Sequence, residues 1–379
     1  MSRFQIKLDT TDWDHIKSGI YQCSDDVVVQ TLTKAASASA LNLQDFQALI
    51  SPAAEPYLET MAKISQKLTQ QKFGKTMLLY VPLYLSNKCS NVCTYCGFSM
   101  ENKIRRKTLN MAQLEAEARA IKKLGFEHIL LVTGESEQKV GMAYFEQVLK
   151  LLRNYFSHIS MEIQPLSTDD YRQLGAWGVE SILIYQETYH RRRYTECHTL
   201  GPKADFDFRL ATPERVGEAG INKLGIGCLL GLEDWRTEAF HVAMHLTYLE
   251  QVFWKMRFSI SFPRLRPCEG GAEINSPITD RQLVQLICAY RLFNHQVELS
   301  LSTRESAVFR DNMLQLGITS MSAGSKTQPG GYARSSSELE QFSIDDDRDP
   351  ATVARMIKSR GYEPVWKDWQ PGLTVVSVS

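Results

Sequence analysis

The sequence predicts an α/β protein, a (β/α)8 TIM-type barrel with an N-terminal helical extension and a C-terminal tail. From Thr76 onward, short apolar runs alternate with amphipathic stretches, the pattern of a parallel sheet built from βα units. Eight such repeats fit within about 250 residues, the size and strand count of a (β/α)8 barrel. No Gly-x-Gly-x-x-Gly follows the first strand, which argues against an open doubly wound sheet.

Taken in order, residues 1–72 read as a helical extension. Val27 to Ala36, Leu43 to Ile50 and Pro56 to Leu68 carry apolar residues at three-to-four spacing. They hold no catalytic constellation and are expected to pack against the barrel of residues 73–325. Its strand candidates are Met77–Ser86, His128–Gly134, Ile159–Pro165, Ser181–Gln186, Lys223–Leu230, Phe258–Pro263, Val297–Thr303 and Ile318–Ser322. Helices are expected at Met111–Leu124, Ala143–Tyr155, Thr237–Phe253, Asp280–Phe293 and Val308–Leu316. Residues 326–379 are expected to leave the barrel. Lys326 to Ser337 reads as a Gly/Ser-rich loop and a candidate lid, and Asp349 to Arg360 as a helix with Pro near its start. Pro371 to Ser379 carries no usable signal.

Composition narrows the partners. Forty-three basic and forty-three acidic residues cancel, so nothing steers the chain to nucleic acid or an anionic membrane. No apolar run reaches membrane-spanning length, and the N-terminus lacks the apolar core of a signal peptide. The expectation is a cytoplasmic protein, where clustered cysteines point to metal or redox chemistry before disulfides.

Three of the eight cysteines fall in Cys89-x3-Cys93-x2-Cys96, with Tyr95 before the third. Three thiolates are one short of a closed tetrahedral zinc site, which would need a distant fourth ligand. They suit an iron–sulfur cluster with one iron left open. A structural zinc site and a chance grouping of buried or redox cysteines are the alternatives. Cys23, Cys197, Cys228, Cys268 and Cys288 are scattered singly, and no cysteine follows Cys288.

A barrel builds its site from the C-terminal ends of its strands. Here those ends read Asn87 into the cysteine loop, Thr133-Gly134-Glu135, Glu162-Ile163-Gln164-Pro165, Tyr185-Gln186-Glu187-Thr188, Gly227 to Gly231, Pro263-Arg264-Leu265-Arg266-Pro267, Ser302-Thr303-Arg304-Glu305 and Ser322-Ala323-Gly324-Ser325. Charged groups directly after buried apolar runs are costly unless they face a ligand or partner.

The cysteine motif resembles that of the radical S-adenosylmethionine (SAM) superfamily. Longer segments are similar to its aromatic amino acid lyases: Tyr185 to His190, Ser261 to Pro267, Leu301 to Glu305 and Ser320 to Ser325. The resemblance implies one 4Fe-4S cluster on Cys89, Cys93 and Cys96, with SAM on the open iron. Tyr95, Gly134, Glu135, Glu162, Gln164 and Gln186 are the cofactor-binding candidates. Glu135 would accept from the methionyl amino group, and Glu162 with Gln164 would take the ribose diol. Arg304, Ser302 and Ser322 could hold a substrate carboxylate, a planar fork that a lysine would not reproduce. Arg264 and Arg266 are second candidates, and which arginine serves SAM stays open. In the hydrogenase-maturation branch, Gly-Tyr-x-Pro leads into further cysteines. Here Gly361-Tyr362-Glu363-Pro364 leads into Val365-Trp366-Lys367, without a thiol. The resemblance therefore points to the tyrosine lyases of thiamine thiazole formation, which split L-tyrosine at Cα–Cβ into 2-iminoacetate and p-cresol. Tryptophan-type or maturation-type lyases, and a zinc-stabilised binding barrel, are the rival readings. Implied partners are a flavodoxin or ferredoxin-type electron donor and a thiazole synthase.

Overall fold

The computed structural model describes residues 2–271, 276–334 and 340–367. Eight parallel strands form one closed sheet: Thr76–Ser86, His128–Thr133, His158–Glu162, Ser181–Leu183, Lys223–Ile226, Arg257–Ser261, Glu298–Leu301 and Ser320–Ser322. The eighth closes on the first, with Leu78 opposite Ser320 and Tyr80 opposite Ser322. The predicted barrel is present with every strand in its expected place.

The first strand shows how its sequence serves two layers. Leu79, Val81, Leu83 and Leu85 are fully buried, and the residues between them, Leu78, Tyr80, Pro82 and Tyr84, line cavities inside the barrel. Side chains on a strand alternate between faces. Most strands are shorter than expected at their C-terminal ends. Beyond Leu183 and Ile226 the ladder gives way to the isolated bridges Glu187–Cys228 and Leu230–Arg264, so these apolar runs continue as cavity wall.

Outer helices include Met111–Lys123, Met142–Leu152, Trp235–Val252, Asp280–Phe293 and Ala307–Met313. Asn110 with Gln113, and Thr279 with Gln282, form reciprocal capping boxes that satisfy orphan N–H groups. Before the barrel run helices Arg3–Asp9, Trp13–Tyr21, Asp25–Ala36, Leu43–Leu49 and Leu58–Phe73. The first two were not expected, being too short for their periodicity to stand out. These helices pack on the barrel's outer shell: buried Gln285 donates through Nε2 to the carbonyls of Leu49 at 2.9 Å and Ser51 at 2.8 Å. Phe4 stacks on His245 at 3.7 Å and Trp13 on His241 at 4.7 Å.

The tail corrects one expectation. After helix Pro350–Ser359, the strand Glu363–Val365 pairs in parallel with Thr76–Leu78 and extends the barrel sheet beside its first strand. Tyr362 and Pro364 are buried there, so the tail returns to the barrel because it carries apolar surface that must be covered. Ser335–Ser337 of the expected loop and Pro371–Ser379 lie outside the described residues. No helix among the described residues is long and apolar enough to cross a membrane.

Candidate functional site

A cavity of about 190 Å³, open at the C-terminal mouth of the barrel, is lined by Cys89, Cys93, Cys96, Tyr95, Gly134, Glu135, Glu162, Arg266, Ser302, Arg304 and Ser322 among others.

The cysteine loop leaves the first strand and is fixed by backbone bonds. Ser90 N donates to Glu135 O at 2.8 Å and Met100 N to Asn91 O at 2.8 Å, while Val92–Cys93 forms a short antiparallel pair with His198–Leu200. Arg106 donates to the carbonyls of Asn87 and Phe98, each at 2.8 Å, and of Asn102 at 3.1 Å. One cation thus gathers carbonyls from both sides of the three cysteines. A Cβ at Gly134 would collide with the Lys88 carbonyl. The glycine serves close approach of the cysteine loop and also lines the cavity.

Behind the loop lies a buried charge network. Arg209 reaches Glu135 at 2.9 Å and Glu187 at 3.4 Å, and donates through Nε to the Tyr185 carbonyl at 2.7 Å. Lys203 reaches Glu187 at 2.7 Å and Glu135 at 3.8 Å. Asn91 joins the two halves, donating to Glu135 at 3.0 Å and accepting from the Lys203 backbone at 2.9 Å. Burial pushes the Glu135 carboxyl up, but Arg209 and Lys203 outweigh it and hold it below its ordinary value. Glu187 behaves likewise, with Lys203 the larger counterweight. Glu187 also carries a positive φ of 71°, a costly backbone geometry for a residue with a Cβ. Tyr95 gives its hydroxyl to His198 Nε2 at 2.7 Å.

Across the cavity stand Glu162 and Arg304. Burial, with Glu187 adding to it, raises the Glu162 carboxyl to about 7 against the pull of Arg304. Burial holds the Arg304 guanidinium below its ordinary value. It donates to the Arg264 carbonyl at 3.1 Å and lies on the Phe342 ring, 3.5 Å from its centroid. Lys203, Arg209 and Arg266, the other cations lining the cavity, are each paired with a carboxylate. Among the described residues Arg304 has no carboxylate partner. Ser302 Oγ accepts from the Arg304 backbone at 3.3 Å and Ser322 Oγ from Thr303 at 3.1 Å.

Three expected site residues stand outside the cavity lining. Arg264 is bound to Glu305 on two bonds and to Asp280 at 2.8 Å, so its charge is already matched. Gln164 donates to the Val140 carbonyl at 2.9 Å. Gln186 lies between Tyr185 and Glu187, which line the cavity, and alternation sends it to the other face. Arg266 lines the cavity but is paired with Asp345. Lys203, Arg209, Gln341 and Phe342 were not anticipated, and Glu187, at an expected strand end, was given no role. Gly201-Pro202 before Lys203 was a turn signal that could have drawn attention there: a Cβ at Gly201 would collide with Ser90 and Asn91 of the cysteine loop.

A closed parallel barrel with three thiols on the loop after its first strand has the layout of a radical SAM enzyme. Residues 83–242 match the radical SAM superfamily model, and residues 261–363 match that of the Biotin and Thiamin Synthesis associated domain. The chain is 52% identical over 370 residues to 2-iminoacetate synthase of Escherichia coli K12, covering 97% of each. It is 50% identical over 374 residues to 2-iminoacetate synthase of Salmonella typhimurium, covering 98% of each. Its fold is similar to that of HydG, a maturase of the FeFe-hydrogenase, with TM-score 0.88 and 28% identity over 93% of this chain and 80% of that one. The chain belongs to the 2-iminoacetate synthase family of radical SAM carbon–carbon lyases.

That family works with a 4Fe-4S cluster and SAM, and the residues present fit them. Cys89, Cys93 and Cys96 share one cavity wall. Among the described residues no three His, Cys, Asp or Glu side chains converge on a single ion; a cluster takes each thiolate on a different iron and asks for wider spacing. Thr133 Oγ1 and Ser325 Oγ line the same cavity, buried and without a hydrogen-bond partner, as polar groups awaiting a ligand do.

Proposed function

We propose that this chain cleaves L-tyrosine at Cα–Cβ to 2-iminoacetate and p-cresol, using a single 4Fe-4S cluster on Cys89, Cys93 and Cys96. The observation that carries the reading is that these three thiols and Arg304, which has no carboxylate partner among the described residues, line one closed-barrel cavity. When bound, the cluster and SAM supply one-electron reduction and hydrogen-atom abstraction. The chain's own residues then do the rest. Arg304, pinned by Phe342, takes the tyrosine carboxylate, with Ser302 and Ser322 beside it. Tyr80, Pro82, Tyr84, Leu183 and Tyr185 offer apolar wall to the aromatic ring. The carboxyl of Glu162, raised to about 7, can hold or release a proton near neutral pH. The barrel keeps water from the reacting atoms. The hydrogen atom taken from tyrosine leaves in 5′-deoxyadenosine, and one electron from the low-potential donor with one proton replaces it in p-cresol.

Glu135 is best read as the residue that holds the cysteine loop through Asn91 and, with any remaining acceptor capacity, the SAM amino group. The 52% identity to the Escherichia coli 2-iminoacetate synthase, against 28% to HydG, favours this reading over the maturation-type alternative. In this reading residues 73–325 hold the chemistry, residues 1–72 back the barrel, and the tail straps its mouth through Thr327, Gln341 and Phe342. A low-potential flavodoxin or ferredoxin-type donor would reduce the cluster. A thiazole synthase would receive the imine, whose ready hydrolysis favours direct transfer. The reduced thiols the cluster requires suit the cytoplasm. The test is anaerobic reconstitution with iron and sulfide, then incubation with SAM, dithionite and tyrosine. Tyrosine-dependent 5′-deoxyadenosine and p-cresol are expected. An indole product from tryptophan, or a colourless zinc protein, would replace this reading with its rivals.

A further inference from the structure

The tail meets the cysteine loop at Gln341. Gln341 lines the cavity, and its Nε2 lies 3.7 Å from Cys96 Sγ, within the longer reach of a hydrogen bond to sulfur. Its Oε1 accepts from the Tyr84 hydroxyl at 2.8 Å, which turns the N–H edge of the amide toward the sulfur. The backbone is fixed as well: Gln341 N donates to Thr327 O at 2.9 Å, and Thr327 Oγ1 to Phe342 O at 3.0 Å. A Cβ at Gly97, the residue after Cys96, would collide with the Gln341 carbonyl. That glycine lets the strap lie against the cysteine loop.

We propose that Gln341 is a positioning residue for the cluster, donating an N–H···S hydrogen bond to the Cys96 sulfur and thereby raising the cluster's reduction potential. The inference rests on Cys96 being a cluster ligand, as proposed above. Reduction adds negative charge to the cluster and its sulfurs, so a donor aimed at a ligand sulfur stabilises the reduced state more than the oxidised one. Phe342, the next residue, carries Arg304 on its ring. The strap thus bears on a cluster ligand and on the proposed substrate cation through neighbouring residues.

The test is a redox titration of the reconstituted full-length chain, read by electron paramagnetic resonance, with iron and sulfide measured alongside. Gln341→Leu should load iron and sulfide as the parent does, while its reduced-to-oxidised ratio at a fixed potential falls about tenfold, about 59 mV for one electron. Tyr84→Phe, which keeps the amide but frees its orientation, should move the same way by less. Should Gln341→Leu fail to load, the Tyr84→Phe potential decides. Parent-like potentials in the loaded variants overturn the role of Gln341 and leave the radical SAM reading intact. A parent chain that takes up no cluster overturns both.

Discussion

The guanidinium of Arg304 stacks on the ring of Phe342, 3.5 Å from carbon to centroid. A residue from the end of the seventh strand is thereby held by a residue of the tail, its plane fixed before any ligand arrives. Arg304→Ala is expected to lower kcat/KM for tyrosine by about a hundredfold or more while iron and sulfide content stay at the parent level. Arg304→Lys should rescue only part of it, because an ammonium supplies neither the fork nor the flat face. Unchanged p-cresol formation would remove Arg304 from the site.

Phe342→Ala tests the stacking alone. A desolvated cation–π contact contributes about 2 kcal/mol, about thirtyfold in an equilibrium constant. The loss is expected mainly in KM for tyrosine, with binding of SAM little changed; steady-state kinetics with each ligand varied in turn separates the two.

Glu162 gives a pH dependence with a defined sign. Its carboxyl rises from 4.5 to about 7, mainly through burial. The folded state therefore holds a proton that the unfolded chain releases, so below about pH 4.5 the group contributes nothing and stability declines as pH rises to about 7. The decline is on the order of 1–3 kcal/mol, since the carboxyl borders an open cavity. Glu162→Gln should melt higher than the cofactor-free parent at about pH 8, the difference closing toward about pH 4. A difference that does not vary with pH would show that the carboxyl is not the titrating group.

Gly134→Ala should weaken the site without touching a thiol. The added methyl meets the backbone of Lys88 and Asn87, which cannot swing aside as a flexible side chain could. An overpacking cost of about 1–3 kcal/mol is expected in thermal unfolding, with lower iron content after reconstitution, because the strain falls on the stem of the cysteine loop.

Asp346 anchors the strap. Its carboxylate pairs with Arg310, both side chains at most 1% exposed, and with Arg348 at 2.7 Å, while its backbone N–H donates to Thr303 O at 3.2 Å. Asp346→Asn leaves Arg310 buried without its main counter-charge and should cost about 3–5 kcal/mol. Asp346→Asn with Arg310→Met, which removes both charges, should recover much of the loss in chemical denaturation.

Sequence alone determined the barrel and the cysteine loop. Eight apolar runs spaced by amphipathic helices can close only a few ways, and a three-thiol motif is local, its ligands fixed by a few intervening residues. Arg304, Ser302 and Ser322 were legible for the same reason, standing directly at strand ends. What depended on the direction of a side chain was not legible there. Only the tertiary structure separated Glu187 from Gln186, because strand alternation sends neighbours to opposite faces, Arg304 from Arg264, because nearby carboxylates decide which cation is matched, and Glu162 from Gln164, because the Val140 carbonyl takes up the Gln164 amide. It alone brought Lys203, Arg209, Gln341 and Phe342 to the cavity, since these reach it from segments far away in the chain through contacts that no local pattern encodes.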